Sequence, residues 1–412
     1  MKTTLPALPQ PSAKRLAIHV TPAAARALRS GHPWLFDQGI RRLSHEGKAG
    51  DLAVLFDGER RFLAIGLYDP DSPMRVKVLQ HRQTAPIDSA WFQATIARAV
   101  ALRAPLLTPQ TTACRLIHGE NDGLPGLVLD KYAETGVLKL YTLAWLPHLA
   151  QVIAGIRAAA PLDHLVLRLS RTMQATPQAL HGLYDGYWLG GTPADGPVLF
   201  QENGLTFSAD VVQGHKTGFF LDQRDNRAKV GELARGRDVL DVFAYNGGFS
   251  LYAARGGARS VTSLDISGPA LAEAARHFTL NQDIPEVAAA KHHLLVGDAF
   301  THLADLAATG QRYDMVVIDP PSFAKSQSEI SRALNAYGRL VSAGLAVLRP
   351  EGILVMASCS SRVTAEQFFH LVQQTARQEG RPLQELARTG HPLDHPITFP
   401  EGAYLKCLFA ET

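Results

Sequence analysis

The chain has 412 residues, 46% hydrophobic and 19% charged, enough apolar material for two or three folded domains, which excludes a disordered chain. Its net charge of +3 is uneven: residues 1–85 carry 13 Lys/Arg against 7 Asp/Glu, a balance of +6, and the remainder carries 28 against 31, or −3. Three distant cysteines, Cys114, Cys359 and Cys407, argue against a disulfide framework and for a reducing compartment.

Residues 1–14 lack an apolar signal core and are expected to form a loose, disordered tail. No apolar run approaches the roughly 20 residues of a membrane span, so no membrane partner and a cytoplasmic location are expected. From 15 to 87 short strands alternate with turns: Ile18–Val20, Ala53–Phe56, the turn Asp57-Gly58, Phe62–Tyr68 and Arg75–Leu79. This reads as a small β-rich domain whose basic balance hints at a polyanion. Trp34 and Phe36 could stack on bases, but such a pair more often belongs to a small domain's own core.

Residues 88–197 read as a second, α+β domain. An Ala-rich helix precedes a tight hairpin over Arg115–Asp130, then strands Val137–Tyr141 and His164–Leu169 flank the helical Leu149–Ala160. The Gly/Pro-rich stretch 190–197 closes it. From 198 to 412 the rhythm becomes strand, helix, strand, which predicts an α/β fold with a mostly parallel, doubly wound, Rossmann-like sheet.

Four strands of this last region end in an acid: Asp241, Asp265, Asp298 and Asp319. Ligands of open α/β sheets bind beyond the carboxyl ends of the strands. A row of acids there suits a ligand offering an amine, a ribose diol and an adenine amino group. Asp265 follows Asp241 by 24 residues, the spacing at which an acid reaches a ribose. The turn after Asp241, Phe243-Ala244-Tyr245-Asn246-Gly247-Gly248-Phe249, is no Gly-x-Gly-x-x-Gly loop, although its paired glycines would let a ligand approach the backbone. S-adenosylmethionine, which has ribose and adenine but no phosphate, therefore fits better than a nicotinamide cofactor. The competing explanation is four separate helix caps.

A fifth strand ends at Val355-Met356-Ala357-Ser358-Cys359-Ser360. A cysteine closing an apolar strand is commonly core, and Cys114 and Cys407 are expected to be so. Cys359 instead shares the ligand edge with Asp319 and Pro320. No Cys-x-x-Cys or His-Glu-x-x-His spacing occurs, so no metal is indicated. His292, His293, His391 and His395 are expected at the surface.

These segments carry a family resemblance. Asp241–Ser250 resembles motif I of class I S-adenosylmethionine-dependent methyltransferases. Gly31–Phe36, His118–Leu127, Thr217–Arg224, Asp319–Phe323 with Ser358–Ser360, and Pro400–Lys406 together resemble bacterial 23S ribosomal RNA cytosine-C5 methyltransferases of the large-subunit type, which carry an amino-terminal PUA domain. The resemblance implies that Gln223 and Arg224 approach the methionine end of the cofactor. It implies that Asp241, Phe243, Tyr245, Asn246 and Gly247 wrap it, that Asp265 holds the ribose and that Asp298 holds the adenine amino group. It implies Cys359 as nucleophile at cytosine C6, Asp319 as the acid at N3 and the Pro320 carbonyl as acceptor of the exocyclic amine. The second cysteine that many RNA cytosine-C5 enzymes carry after the motif IV proline is absent here, as it is from the large-subunit type. The implied partner is 23S ribosomal RNA or a large-subunit precursor, with the oligomeric state open and a homodimer among the options. Methylation of a guanine nitrogen or of uracil C5, and a non-catalytic RNA-binding assembly factor, are the alternatives.

Overall fold

A computed structural model describes residues 5–412 apart from Ala194 and Lys325. Met1–Thr4 of the expected tail, and Ala194 of the expected boundary stretch, lie outside the described residues. The chain parts into two compact units. The first comprises Met1–Gly204, Ser208–Leu221 and Leu393–Pro400; the second comprises Leu205–Phe207, Asp222–Pro392 and Glu401–Thr412.

Two large sheets lie in the first unit. A six-stranded sheet runs in the order Trp34–Leu35, Val76–His81, Phe62–Tyr68, Leu52–Phe56, Leu16–Val20, Ile40–Leu43. Alternating burial along Leu16–Val20 gives it one core face, where Leu16, Ile18, Leu55 and Val76 are buried. A five-stranded sheet of Ala113–His118, Leu127–Tyr132, Thr135–Leu140, His164–Leu169 and Tyr187–Gly190 packs under the helices Ser89–Arg103 and Leu149–Ala159.

Three expectations are corrected in this unit. Residues 5–12 are not loose: Leu5 and Leu8 pack against the core, and Ser12 donates from N and Oγ to Asp51 at 2.8 and 3.0 Å. Trp34 and Phe36 are not core. Phe36 is 45% exposed, and the half-buried Trp34 donates from Nε1 to Glu120 and meets Phe399 edge-on at 5.1 Å. His395 is not at the surface: it is 1% exposed, its ring 5.0 Å from that of His118.

The second unit is a seven-stranded sheet: β1 (Asp238–Val242), β2 (Ser260–Asp265), β3 (Lys291–Val296), β4 (Tyr313–Ile318), β5 (Leu348–Ser358), β6 (Gln384–Thr389) and β7 (Lys406–Glu411). Their spatial order is β3-β2-β1-β4-β5-β7-β6. The first five are parallel and β7 is antiparallel to both its neighbours. The helices are α1 (Arg224–Leu233), α2 (Gly248–Arg255), α3 (Gly268–Leu280), α4 (Ala299–Ala308), α5 (Ile330–Val347) and α6 (Ala365–Gln378), with a further single turn at Pro285–Ala289.

Central strands β1, β4 and β5 read as continuous apolar runs because helices cover both faces of the sheet. Leu240, Val316, Leu354, Tyr337, Leu340 and Phe368 are buried in one cluster, each large side chain worth roughly 1.5–3 kcal/mol of burial. Helix starts are encoded locally: Ser267 caps α3, Asp298 caps α4, and Thr364 with Gln367 forms a capping box on α6. Arg349–Gly352 lies inside β5 as a kink with Glu351 at φ 58°, and the β4–β5 register shifts there.

At the amino end of the sheet, Arg259 and Arg349 each bridge Asp238 and Asp314 at 2.7–3.0 Å. The Arg259 guanidinium is the largest influence holding the Asp238 carboxyl down at about 2.

Candidate active site

The strand order decides how the chemistry is arranged. Read across β3, β2, β1, β4 and β5, the carboxyl ends carry Asp298, Asp265, Asp241, Asp319 and Cys359 in that sequence. Four acids dispersed over 79 residues thus become neighbours along one sheet, with the thiol beside the last of them.

Asp241 is the most buried acid of the row, 1% exposed on β1. Its Oδ2 accepts from Ser250 N at 3.0 Å and Ser250 Oγ at 2.6 Å. Its Oδ1 has no hydrogen-bond partner among the described residues. Desolvation pushes this carboxyl up to about 7, and the Asp265 charge adds to the rise. A buried acceptor without a donor is costly in a folded protein and marks a place where a ligand donor fits. Asp265 closes β2 with Oδ2 accepting from Tyr245 N at 2.9 Å and Oδ1 from Ser267 N at 2.8 Å. Its remaining lone pairs are open to a diol. Asp298 is a helix cap, accepting from Thr301 N at 3.0 Å, as the competing explanation requires for that one acid.

The turn after β1 is bent hard. Phe243 and Tyr245, both half-buried, sit at φ 64° and 50°, conformations rare for bulky side chains and concentrated at ligand sites. Asn246 is buried, and its carbonyl oxygen lies 2.8 Å from His277 Nδ1, which therefore carries the proton. The glycine pair relieves crowding within the protein itself. A Cβ on Gly247 would lie 2.7 Å from Ala274 Cβ, and one on Gly248 would lie 2.9 Å from Arg227 Cδ. These glycines let α2 pack closely on its neighbours.

Gln223 and Arg224 stand at the start of α1 and are buried. Gln223 Nε2 donates to Asp319 Oδ2 at 2.8 Å, while its Oε1 accepts from Asn226 Nδ2. Arg224 Nε is 3.3 Å from Asp225 Oδ1. The half-buried Cys359 Sγ lies 3.9 Å from the Pro320 carbonyl oxygen, so thiol, Pro320 and Asp319 share one corner between β4 and β5. Cys114 and Cys407 are 0% exposed.

Two residues of this corner were missed by sequence reasoning. Tyr337 on α5 meets Ser358 Oγ at 2.9 Å, its phenol pushed up to about 12 mainly by burial. Lys406 opens β7 directly opposite Ser358. Its signal was present, since a lysine heading the apolar run Cys407–Ala410 must find a partner when buried. Of the histidines expected at the surface, His292 is instead half-buried and stacked on Phe278 at 3.7 Å, with burial holding it down at about 4. Among the described residues no group of three or more His, Cys, Asp or Glu is placed to hold a metal, and no helix is long and apolar enough to cross a membrane.

Comparison with known proteins identifies the family. Residues 151–410 match the family described as S-adenosylmethionine-dependent methyltransferase, and residues 18–81 match a PUA-like domain. A ribosomal RNA large subunit methyltransferase of Deinococcus radiodurans is 47% identical over 98% of this chain and 99% of its own. A ribosomal RNA large subunit methyltransferase I of Alteromonas mediterranea is 34% identical over 95% of this chain and 97% of its own. A methyltransferase from Streptococcus mutans shares the fold at TM-score 0.81 and 22% identity, covering 96% of this chain and 100% of the other. A methyltransferase solved with S-adenosylhomocysteine gives 0.82 at the same identity and coverage. The cofactor is S-adenosylmethionine, and the orphaned Asp241 oxygen beside the Asp265 carboxylate is a donor-seeking set that fits its amine and ribose. With the family match spanning more than half of the chain and relatives aligned over nearly their full length, the chain belongs to the S-adenosylmethionine-dependent methyltransferase family that these relatives share.

Proposed function

We propose that the protein methylates C5 of a cytosine in 23S ribosomal RNA, or in a large-subunit precursor, in the cytoplasm. The observation that carries this reading is the corner where Cys359 Sγ stands 3.9 Å from the Pro320 carbonyl, next to Asp319. Methylation of a ring nitrogen needs no thiol, whereas cytosine C5 does, because C5 is a poor nucleophile until C6 is attacked. The names of the relatives support a large-subunit ribosomal RNA substrate.

S-adenosylmethionine supplies an electrophilic methyl group. Asp241, Asp265 and the Phe243–Gly247 turn hold it in this reading, with Gln223 and Arg224 at the methionine end and Asp298 at the adenine. Cys359 attacks C6 as the thiolate, forming an S–C6 bond while the ring electrons move towards N3. Asp319 delivers a proton to N3, held in place by the Gln223 amide. The Pro320 carbonyl accepts from the exocyclic amine, which uracil lacks. C5 then takes the methyl. Loss of the C5 proton to a base, with rupture of the S–C6 bond and return of the N3 proton, regenerates the thiolate. The base must be extruded from any helix for the thiol to reach C6, and the basic segment 15–87 grips phosphates meanwhile.

The test is transfer of labelled methyl to unmodified 23S RNA, with the product nucleoside identified by mass spectrometry. Wild type is expected to make 5-methylcytidine and Cys359→Ala none. A Cys359→Ala enzyme that keeps its rate, or a nitrogen-methylated product, would refute the thiol mechanism and leave the cofactor assignment intact.

A further inference from the structure

Lys406 is 4% exposed, and its antiparallel register sets it opposite Ser358, the residue before Cys359. Its ammonium donates to two main-chain carbonyls just past the thiol, Ser360 and Val363, the latter at 2.7 Å. Among the described residues it has no carboxylate partner within ion-pair distance. Burial pulls this lysine down, the negative charge of Cys359 works against it, and the balance leaves it at about 8. A buried ammonium held only by neutral carbonyls is an incomplete arrangement, since buried charges are normally paired. The counter-ion that the geometry offers is the Cys359 thiolate.

Three further titratable groups, Asp319, Tyr337 and Cys407, belong to the same corner. Asp319 follows β4, and its charge, like that of Cys359, raises the Tyr337 phenol on α5. Cys407 follows Lys406 on β7, with burial, reinforced by the Asp319 charge, raising its thiol far up. Whenever it is ionised, a carboxylate in this corner opposes thiolate formation, so a cation is needed to reverse the balance.

We propose that Lys406 is a positioning residue that holds Cys359 as the thiolate and fixes the turn that follows it. The proposal deepens the reading of Cys359 as nucleophile and names the group that activates it. The Sγ proton leaves to solvent, and the ammonium keeps its three protons. A lysine that only pinned the turn would leave the thiol's ionisation unchanged.

The test is the rate of Cys359 alkylation by iodoacetamide across pH, followed site by site by mass spectrometry on the full chain. Cys114 and Cys407, both fully buried, serve as internal controls. The wild-type midpoint is expected below the ~8.5 of an ordinary thiol. Lys406→Met raises it by about one pH unit, roughly a tenfold slower alkylation at neutral pH, and Lys406→Arg keeps it low. A wild-type midpoint at or above ~8.5 overturns the proposal whether or not any variant folds. So does a Lys406→Met midpoint equal to wild type, or an Arg variant that behaves like Met. Methyl transfer is read separately: Lys406→Met is expected to lower kcat at neutral pH, to leave the KM for S-adenosylmethionine unchanged, and to regain rate as pH rises. If Cys359→Ala still transfers methyl, the nucleophile reading falls while the alkylation profile still judges Lys406, so the two failures are distinct.

Discussion

Replacing Asp241 by Asn probes the cofactor end of the site through its unusual electrostatics. Burial raises this carboxyl from 3.8 to about 7. Three pH units at ~1.4 kcal/mol each set about 4 kcal/mol against ionisation in the ligand-free fold. The folded value lies above the unfolded one, so the folded state binds the extra proton. The stabilising contribution is complete below about pH 4 and is lost as pH rises towards about 7. Between pH 5 and 8, wild type should lose about 3 kcal/mol from this group, and Asp241→Asn should lack that slope. Urea unfolding at the two pH values measures it. With the cofactor's cationic amine held at Asp241, as proposed, cofactor binding works in the opposite direction, because it favours the ionised carboxylate. Wild-type affinity, followed by calorimetry, should therefore climb up to tenfold per pH unit as pH approaches about 7, and the Asn variant should bind weakly and without that climb. Identical pH dependence of both stability and affinity in the two proteins would refute the assignment of Asp241 as the buried, ligand-seeking acid.

Two further outcomes follow from the scaffold. Arg349→Met removes a guanidinium shared by Asp238 and Asp314 at a half-exposed position, so it should cost about 1 kcal/mol at neutral pH. Asp238 is held down at about 2, so its contribution is present above pH ~4 and lost as pH falls through about 2; acid unfolding curves of variant and wild type should converge there, and a constant gap would contradict this. Gly247→Ala places a Cβ 2.7 Å from Ala274 at φ 74°, and should cost about 2 kcal/mol or more and weaken cofactor binding; an unchanged melting temperature would mean that the turn tolerates a side chain.

Much of the second unit was legible locally. The apolar runs Val239–Val242, Met315–Ile318 and Ile353–Ala357, with caps at Ser267, Asp298 and Thr364, define strands and helices through contacts within a few residues. The kink at Glu351 was less so. Arg349-Pro350-Glu351-Gly352 reads as a turn, and only pairing with β4 and β7 on either side makes it an interruption of a single strand. The Gly247-Gly248 pair was only partly legible for a related reason. Glycine signals close approach, but not whether a ligand or another helix does the approaching.

The chain's own residue pattern determined the β/α alternation of the catalytic unit, the acids at its strand ends, and the small polar residues around Cys359, because turn chemistry and hydrophobic period are short-range properties. Tertiary structure alone decided that Asp298, Asp265, Asp241, Asp319 and Cys359 fall in one spatial row, since strand order is settled by how helices pack on both faces of the sheet. It also decided which acid is perturbed: Asp241 and Asp298 look alike in sequence, yet one is 1% exposed with an orphan oxygen and the other caps a helix in solvent. Lys406 was a strand residue until the antiparallel pairing of β7 with β5 buried its ammonium opposite Ser358. Desolvation and Coulomb interaction depend on distance in space, and the chain brings these groups together only once the sheet has closed over them.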